Sequence, residues 1–451
     1  MKDTSKSRRR FLKTSAGFSS AIGLAGIPGA TKTVWGETLD LEEQKKRIGA
    51  NEKIQDARAA ALKILKPTQK ELEHGLELHE NSLVFESYGF APRAALDGDR
   101  MRTAIESGAT DAELEDLRED MYMTRWATVP SERIEFLDAM KAAGVTCIFQ
   151  NAGQEGFEVH RLVKRLARYT YATDLMRDVV PKAVTPDDIV FAKEQNRHCL
   201  YFSGNGVPVP QDWLSAEEEL AYIKIFFQLG IRMMHLTYNR RNMIGDGCGE
   251  PANGGLSDFG HAVVAEMNRT GVIVDIAHSG WQTSFDAAMA SVKPMVASHS
   301  VCCAVHEHFR GKPDNVIKAI VDTGGYIGIC CIPRYLGGEG NIKAMLNHID
   351  YAVKKFGANH VTIGTDVAYS SRASAEENKK IPKLNNRKTR EPWRSLWPKD
   401  DFVETPEMTF SMAWTNWPLI TVGLVQRGYS DYDIRKIIGG NALRVTKAAL
   451  A

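Results

Sequence analysis

Eight short runs of apolar and β-branched residues recur along the chain, separated by longer polar or helix-patterned stretches. They are Leu83–Ser87, Val145–Gln150, Cys199–Ser203, Ile231–Thr237, Val272–His278, Met295–Ser300, Tyr326–Cys331 and His360–Asp366. Segments with helical spacing lie between several of them: Ala216–Leu229, Gly260–Thr270, Ser284–Ser291, Asp314–Thr323 and Asn341–Phe356. Strands alternating with helices build βαβ units and a parallel sheet. Eight such units predict an α/β fold, a (β/α)8 TIM-type barrel, with functional groups gathered at the carboxyl ends of the strands. A doubly wound open sheet is the rival arrangement, and no glycine-rich nucleotide fingerprint supports it.

Two stretches break the rhythm. Residues 88–133 follow the first strand and contain an acidic helical piece, Ala112–Met121; residues 368–405 follow the eighth and are polar and basic, with Trp393 and Trp397 embedded. Both project from the active-site end of a barrel, where long loops serve as lids. The basic cluster Lys379, Lys380, Lys383, Arg387, Lys388 and Arg390 reads as a solvated loop, with attraction of an anionic substrate as the alternative. The domain layout that follows is a targeting segment at 1–36, a helical lead-in at 37–82, and a barrel at 83–451 with insert loops 88–133 and 368–405 and carboxyl-terminal helices.

Composition and charge narrow the class. Lys and Arg number 57 against 56 Asp and Glu in 451 residues, a net charge of +1. That balance lacks the basic excess of a nucleic-acid binder. Ser7-Arg8-Arg9-Arg10-Phe11-Leu12-Lys13 resembles the twin-arginine export motif, followed by a weakly apolar stretch too short and polar for a stable transmembrane segment. Export by the twin-arginine translocase is therefore expected, into the periplasm if the host is Gram-negative. The seven cysteines include no C-x-x-C pair, so no disulfide framework is indicated.

Chemistry concentrates at strand ends. The fifth run ends on His278, the sixth carries His299, and the eighth ends on Asp366. Histidines on successive strands with an aspartate on the last converge on one mouth, and such a cluster suits Zn²⁺ or a similar ion. Asp275 lies inside the fifth run, with no partner assignable from sequence. His306 and His308 flank Glu307 in a loop, and the pairs Cys302-Cys303 and Cys330-Cys331 read as packing.

These residues carry a family resemblance. Gly254-Gly255-Leu256-Ser257-Asp258-Phe259-Gly260, Val274-Asp275-Ile276-Ala277-His278, Ser298-His299-Ser300, His308-Phe309-Arg310, Ile363-Gly364-Thr365-Asp366 and Arg427-Gly428-Tyr429-Ser430 with the helix that follows resemble the membrane (renal-type) dipeptidases, peptidase family M19, of the amidohydrolase-like metal-dependent barrels. The similarity runs from about Leu83 to Ala449. The family's strand-one His-x-Asp pair corresponds to Glu86 and Tyr88 here, its bridging glutamate to Ser203, and its substrate-facing histidine to Tyr238. With the bridging carboxylate and the His-x-Asp pair gone, one zinc ion rather than two is expected, held by His278 and His299 with Glu86 or Asp366.

The resemblance implies hydrolysis of a dipeptide-like amide by metal-activated water. In it Asp366 handles protons unless it is a ligand, Tyr238 stabilises the oxyanion or binds substrate, and Arg310 grips a substrate carboxylate through a charge-assisted fork. The alternatives are a one-metal hydrolase of another amide, ester or lactone, or a catalytically inactive barrel that binds a small molecule. The expected partners are a small-molecule substrate, the translocase and, for a homodimer, a second copy of the chain.

Overall fold

The computed structural model describes residues 41–153, 158–212, 214–383 and 396–451, preceded by the backbone of a short antiparallel pair, Lys32–Val34 and Glu37–Leu39. The twin-arginine motif lies outside the described residues, as do Arg387, Lys388, Arg390 and Trp393. All eight expected runs become strands: β1 (Phe85–Gly89), β2 (Cys147–Asn151), β3 (Cys199–Gly204), β4 (Ile231–His235), β5 (Ile273–Asp275), β6 (Val296–Ser300), β7 (Tyr326–Ile329) and β8 (Val361–Ile363).

Each strand pairs in parallel with the next in chain order. At the remaining seam the Asp366 N–H donates to the Tyr88 carbonyl (3.4 Å) and the Thr365 N–H to Glu86 Oε1 (3.3 Å), so the barrel nearly closes. Alternation along each strand sorts the side chains. Phe85, Phe149, Tyr201, Met233, Ile273, Val296 and Tyr326 fill the barrel. Ile148, Leu200, Phe202, Val274, Ala297, Ile327 and Ile363 face outward into the larger core under the helices. Complete burial of a side chain of this kind contributes about 1.5–3 kcal/mol, which is what fixes the in-or-out choice at every strand position.

Helices fall where the spacing placed them, with ends set by caps. Ser215 caps Ala216–Gln228, Ser257 caps Asp258–Thr270, and Asn341 caps Ile342–Phe356, each accepting a free N–H of the first turn. Ahead of the barrel stand Leu41–Gly49, Glu52–Leu65 and Gln69–Asn81. The insert after β1 folds into Gly98–Glu106 and Asp111–Thr128, the second opened by a Thr110/Glu113 capping box. The carboxyl-terminal helices include a π-helical turn at Lys436–Gly440. A Cβ on Gly439 would come within 2.2 Å of the Leu83 carbonyl, so a glycine is what lets this turn close under β1. Among the described residues, no helix is long and apolar enough to cross a membrane.

Two of the strand ends that move carry site candidates. β5 stops at Asp275 and β8 at Ile363, placing His278 and Asp366 on the loops beyond. Asp366 has φ 58°, a left-handed conformation that leaves the strand path altogether.

Candidate metal centre and active site

Three interior residues at the carboxyl ends of adjacent strands meet at one point. His235 closes β4, Asp275 closes β5 and His299 lies in β6, all fully buried. One potential ligand atom from each lies within 4.8 Å of the other two. His235 Nε2 is 2.7 Å from Asp275 Oδ2, yet the two are not aligned as a hydrogen bond. Both atoms, and His235 Nδ1, are buried without a hydrogen-bond partner. Unsatisfied polar atoms in a barrel interior cost about 1–3 kcal/mol each. A cation bound between them removes that cost.

The neighbours hold these groups in the form a metal requires. Asp275 Oδ1 accepts the N–H groups of Ala277 and Ser298, both at 3.0 Å, which aims Oδ2 at the cluster. Burial opposes ionisation of Asp275, but His235 and the Ser298 N–H outweigh it and hold the carboxyl below its usual range. His299 Nδ1 meets Ser298 Oγ at 2.8 Å and His278 Nδ1 meets Asn239 Oδ1 at 2.7 Å. Their Nε2 atoms therefore face each other at 3.0 Å. The Tyr88 ring stacks on His299 (3.9 Å) and the Tyr238 ring on His278 (4.3 Å). Burial, and next the positive charge of Arg310, hold both imidazoles far below their ordinary pKa. They stay neutral, the state in which a ring nitrogen can ligate. Two imidazoles and a carboxylate, with His278 adjoining, fit one divalent ion of the zinc type.

The other sequence candidates take different places. Glu86 is not a ligand of this cluster: Oε1 accepts from Thr365 N–H and Oγ–H, and Oε2 from Trp414 Nε1 (2.8 Å). The cause is a one-residue register shift between Glu86 and Gly89 in the β1–β2 pairing. A bulge there undoes the period-two expectation that Glu86 and Tyr88 share a face. Tyr88 points into the barrel, its hydroxyl donating to Asn205 Oδ1 (2.5 Å), while Glu86 points into the β1–β8 seam. Burial pushes the Glu86 carboxyl up to about 8, against the three hydrogen bonds.

Asp366 also lies outside the ligand cluster. It lines a cavity of about 540 Å³ over the histidines together with Tyr238, Asn239, His278 and Tyr335. Ser203 donates to the Gln150 carbonyl (3.2 Å), and no carboxylate occupies the end of β3. Arg310 is 1% exposed and does not line that cavity; it donates to the Ala277 carbonyl and to His278 Nε2 (3.3 Å). His308 accepts the Arg310 N–H at Nδ1 (3.0 Å) and faces Asp400, away from the cluster. The vicinal cysteines are free thiols, Cys302, Cys330 and Cys331 fully buried. His235 is the residue sequence reasoning missed. Its signal was there: Met233 and His235 alternate on the inward face of a strand already recognised.

The profile of the membrane dipeptidases (peptidase family M19) matches residues 96–395. The dipeptidase aclJ of Aspergillus oryzae is 32% identical over 229 residues, 49% of this chain and 46% of that protein. The dipeptidase verJ of Clonostachys rogersoniana is 29% identical over 222 residues, 49% of this chain and 48% of the relative. The chain thus spans about half the length of the curated relatives it matches. Among solved structures, an amidohydrolase from Pseudomonas aeruginosa superposes with a TM-score of 0.59 at 25% identity, over 83% of this chain and 98% of the other.

Proposed function

The chain belongs to the membrane dipeptidase family, peptidase family M19, and from that premise we propose that it hydrolyses the amide bond of a dipeptide-like substrate with one zinc ion held by His235, Asp275 and His299. The observation that carries the reading is the set of buried, unpartnered ligand atoms at the ends of β4 and β5, beside the neutral imidazole of His299. A divalent ion in such a place acidifies water and polarises a carbonyl. The chain's own groups do the rest. Asp366, which lines the cavity, takes the proton from the attacking water and passes it to the leaving amine. Tyr238, stacked on His278, offers its hydroxyl to the developing oxyanion. Burial, and next the charge of Arg310, keep His278 unprotonated. Export through the twin-arginine pathway, to the periplasm of a Gram-negative host, is part of the same proposal.

A second reading, a one-metal hydrolase of another amide, ester or lactone, draws support from Ser203, which supplies no bridging carboxylate at the end of β3. Metal analysis of the purified protein, with hydrolysis assays on dipeptides, esters and lactones, separates the two. About one ion per chain is expected, with at least about a tenfold loss of metal affinity in His235→Ala, Asp275→Asn and His299→Ala. Asp366→Asn should keep its metal and lose activity. Full metal occupancy in all three ligand variants refutes the site; metal-dependent turnover of esters or lactones but of no dipeptide selects the second reading.

A further inference from the structure

Beside the catalytic cavity lies a second of about the same volume, 540 Å³. Phe309, Ile332, Arg334 and residues 398–401 line it, and it shares Tyr335 and Trp397 with the first. Among the described residues, these two rings are the wall between the cavities. Tyr335 stands on the short helix Pro333–Leu336 and packs on His308, with 4.7 Å between ring centroids. Trp397 belongs to the insert loop after β8, on a strap, residues 396–402, that is fastened to three other loops. The Leu396 carbonyl accepts from Arg240 of the loop after β4 (3.5 Å). Asp400 meets His308 of the loop after β6 (3.4 Å) and Arg334 after β7 (3.8 Å), and its Oδ1 accepts the Phe402 N–H (3.0 Å). With its backbone tied down on both sides, the half-buried indole has little freedom to move aside.

We infer that Trp397 sets the length of peptide this barrel accepts. This rests on the dipeptidase reading and deepens it, by naming the side chain that excludes longer chains. Tyr238, His278 and Asp366 line the same cavity as the indole. A peptide whose amide lies among those groups can extend toward Tyr335 only until it meets Trp397. Each further residue adds about 3.5 Å of extended chain, so a longer peptide runs into the ring. Space for that residue exists on the far side, where Arg334, Lys399, Asp400 and Asp401 offer donors and acceptors to a peptide backbone. The two cavities are kept apart by side chains, not by a strand or a helix axis. Cutting the indole back to a methyl group therefore joins them. Exclusion of this kind is specificity by clash, and it is lost when the clashing atoms are removed.

Initial rates of alanine release from L-Ala-L-Ala and from L-Ala-L-Ala-L-Ala, measured on the metal-loaded protein, test this. The parent should favour the dipeptide by about a hundredfold or more in kcat/KM. Trp397→Ala should raise kcat/KM for the tripeptide at least about tenfold, and Trp397→Leu should raise it by a smaller factor. A gain in absolute rate is an outcome that damage to the fold cannot produce. Trp397→Phe, which keeps a ring at the wall, should retain most of the parent's exclusion. If circular dichroism shows that Trp397→Ala does not fold, Trp397→Leu decides the matter. A parent that cleaves both peptides equally well overturns the inference and leaves amide hydrolysis standing. So does a parent confined to the dipeptide whose alanine and leucine variants gain nothing on the tripeptide. Turnover of neither peptide by the metal-loaded parent overturns the dipeptidase reading and this inference with it.

Discussion

Glu86 offers the sharpest quantitative test, because the sequence suggests a metal ligand and the structure makes it an anchor of the β1–β8 seam. Its carboxyl titrates at about 8 in the fold, pushed up by burial, against an ordinary value of 4.5. Below pH 4.5 the folded and unfolded chains both hold the proton and stability does not depend on it. Between 4.5 and about 8 the unfolded chain releases the proton and the folded chain keeps it, so stability falls as pH rises. At about 1.36 kcal/mol per unit, the fall reaches about 5 kcal/mol by pH 8 and then levels off. Glu86→Gln has no proton to lose. Its amide oxygen can take the Thr365 donors, but its NH2 then confronts Trp414 Nε1–H, at a pH-independent cost of about 1–3 kcal/mol. The parent should be the more stable near pH 5 and the variant near pH 8, so the two stability curves cross. Urea unfolding from pH 4.5 to 8.5 measures both, and the difference between the curves isolates this one group from all others that titrate. Parallel curves would refute the argument, and so would loss of bound metal in the variant.

Two further perturbations follow from the same structure and sequence. His79, buried between Thr421 Oγ1 (2.8 Å) and the Ala143 carbonyl (2.9 Å), is held down to about 4 by burial. Its effect has the opposite sign: the stability it confers is present above pH 6.5 and is lost as pH falls toward 4, about 3 kcal/mol in all. His79→Gln should flatten acid unfolding over that range, measured by circular dichroism, and an unchanged acid limb would count against it. At the amino terminus, Arg8→Lys with Arg9→Lys should strand the protein unprocessed in the cytoplasm, because a receptor reads the pair. Fractionation with immunoblotting reads the outcome, and unchanged export of the double variant defeats the export proposal.

What the sequence determined by itself is the barrel and part of its chemistry. Alternation of inward and outward residues is a local property of each strand, and the strand–helix rhythm is a local property of each unit. Eight runs such as Val272–His278 and Met295–Ser300 therefore marked the strands before any contact was known. His278 and His299 were visible for the same reason, as polar residues at the ends of apolar strands. The tertiary structure decided which polar groups meet. Asp275 and His235 become neighbours only because β4 and β5 pair at Met233–Ile273 and His235–Asp275, a register that no single strand encodes. Glu86 and Tyr88 part company at a bulge that exists only in the pairing of β1 with β2. Arg310 is withdrawn from the cavity by the Ala277 carbonyl and His278, which belong to a different βα unit. Such choices depend on where unsatisfied hydrogen bonds and uncompensated charges can find partners in three dimensions, and one residue of register is enough to send a side chain to the other face of a strand.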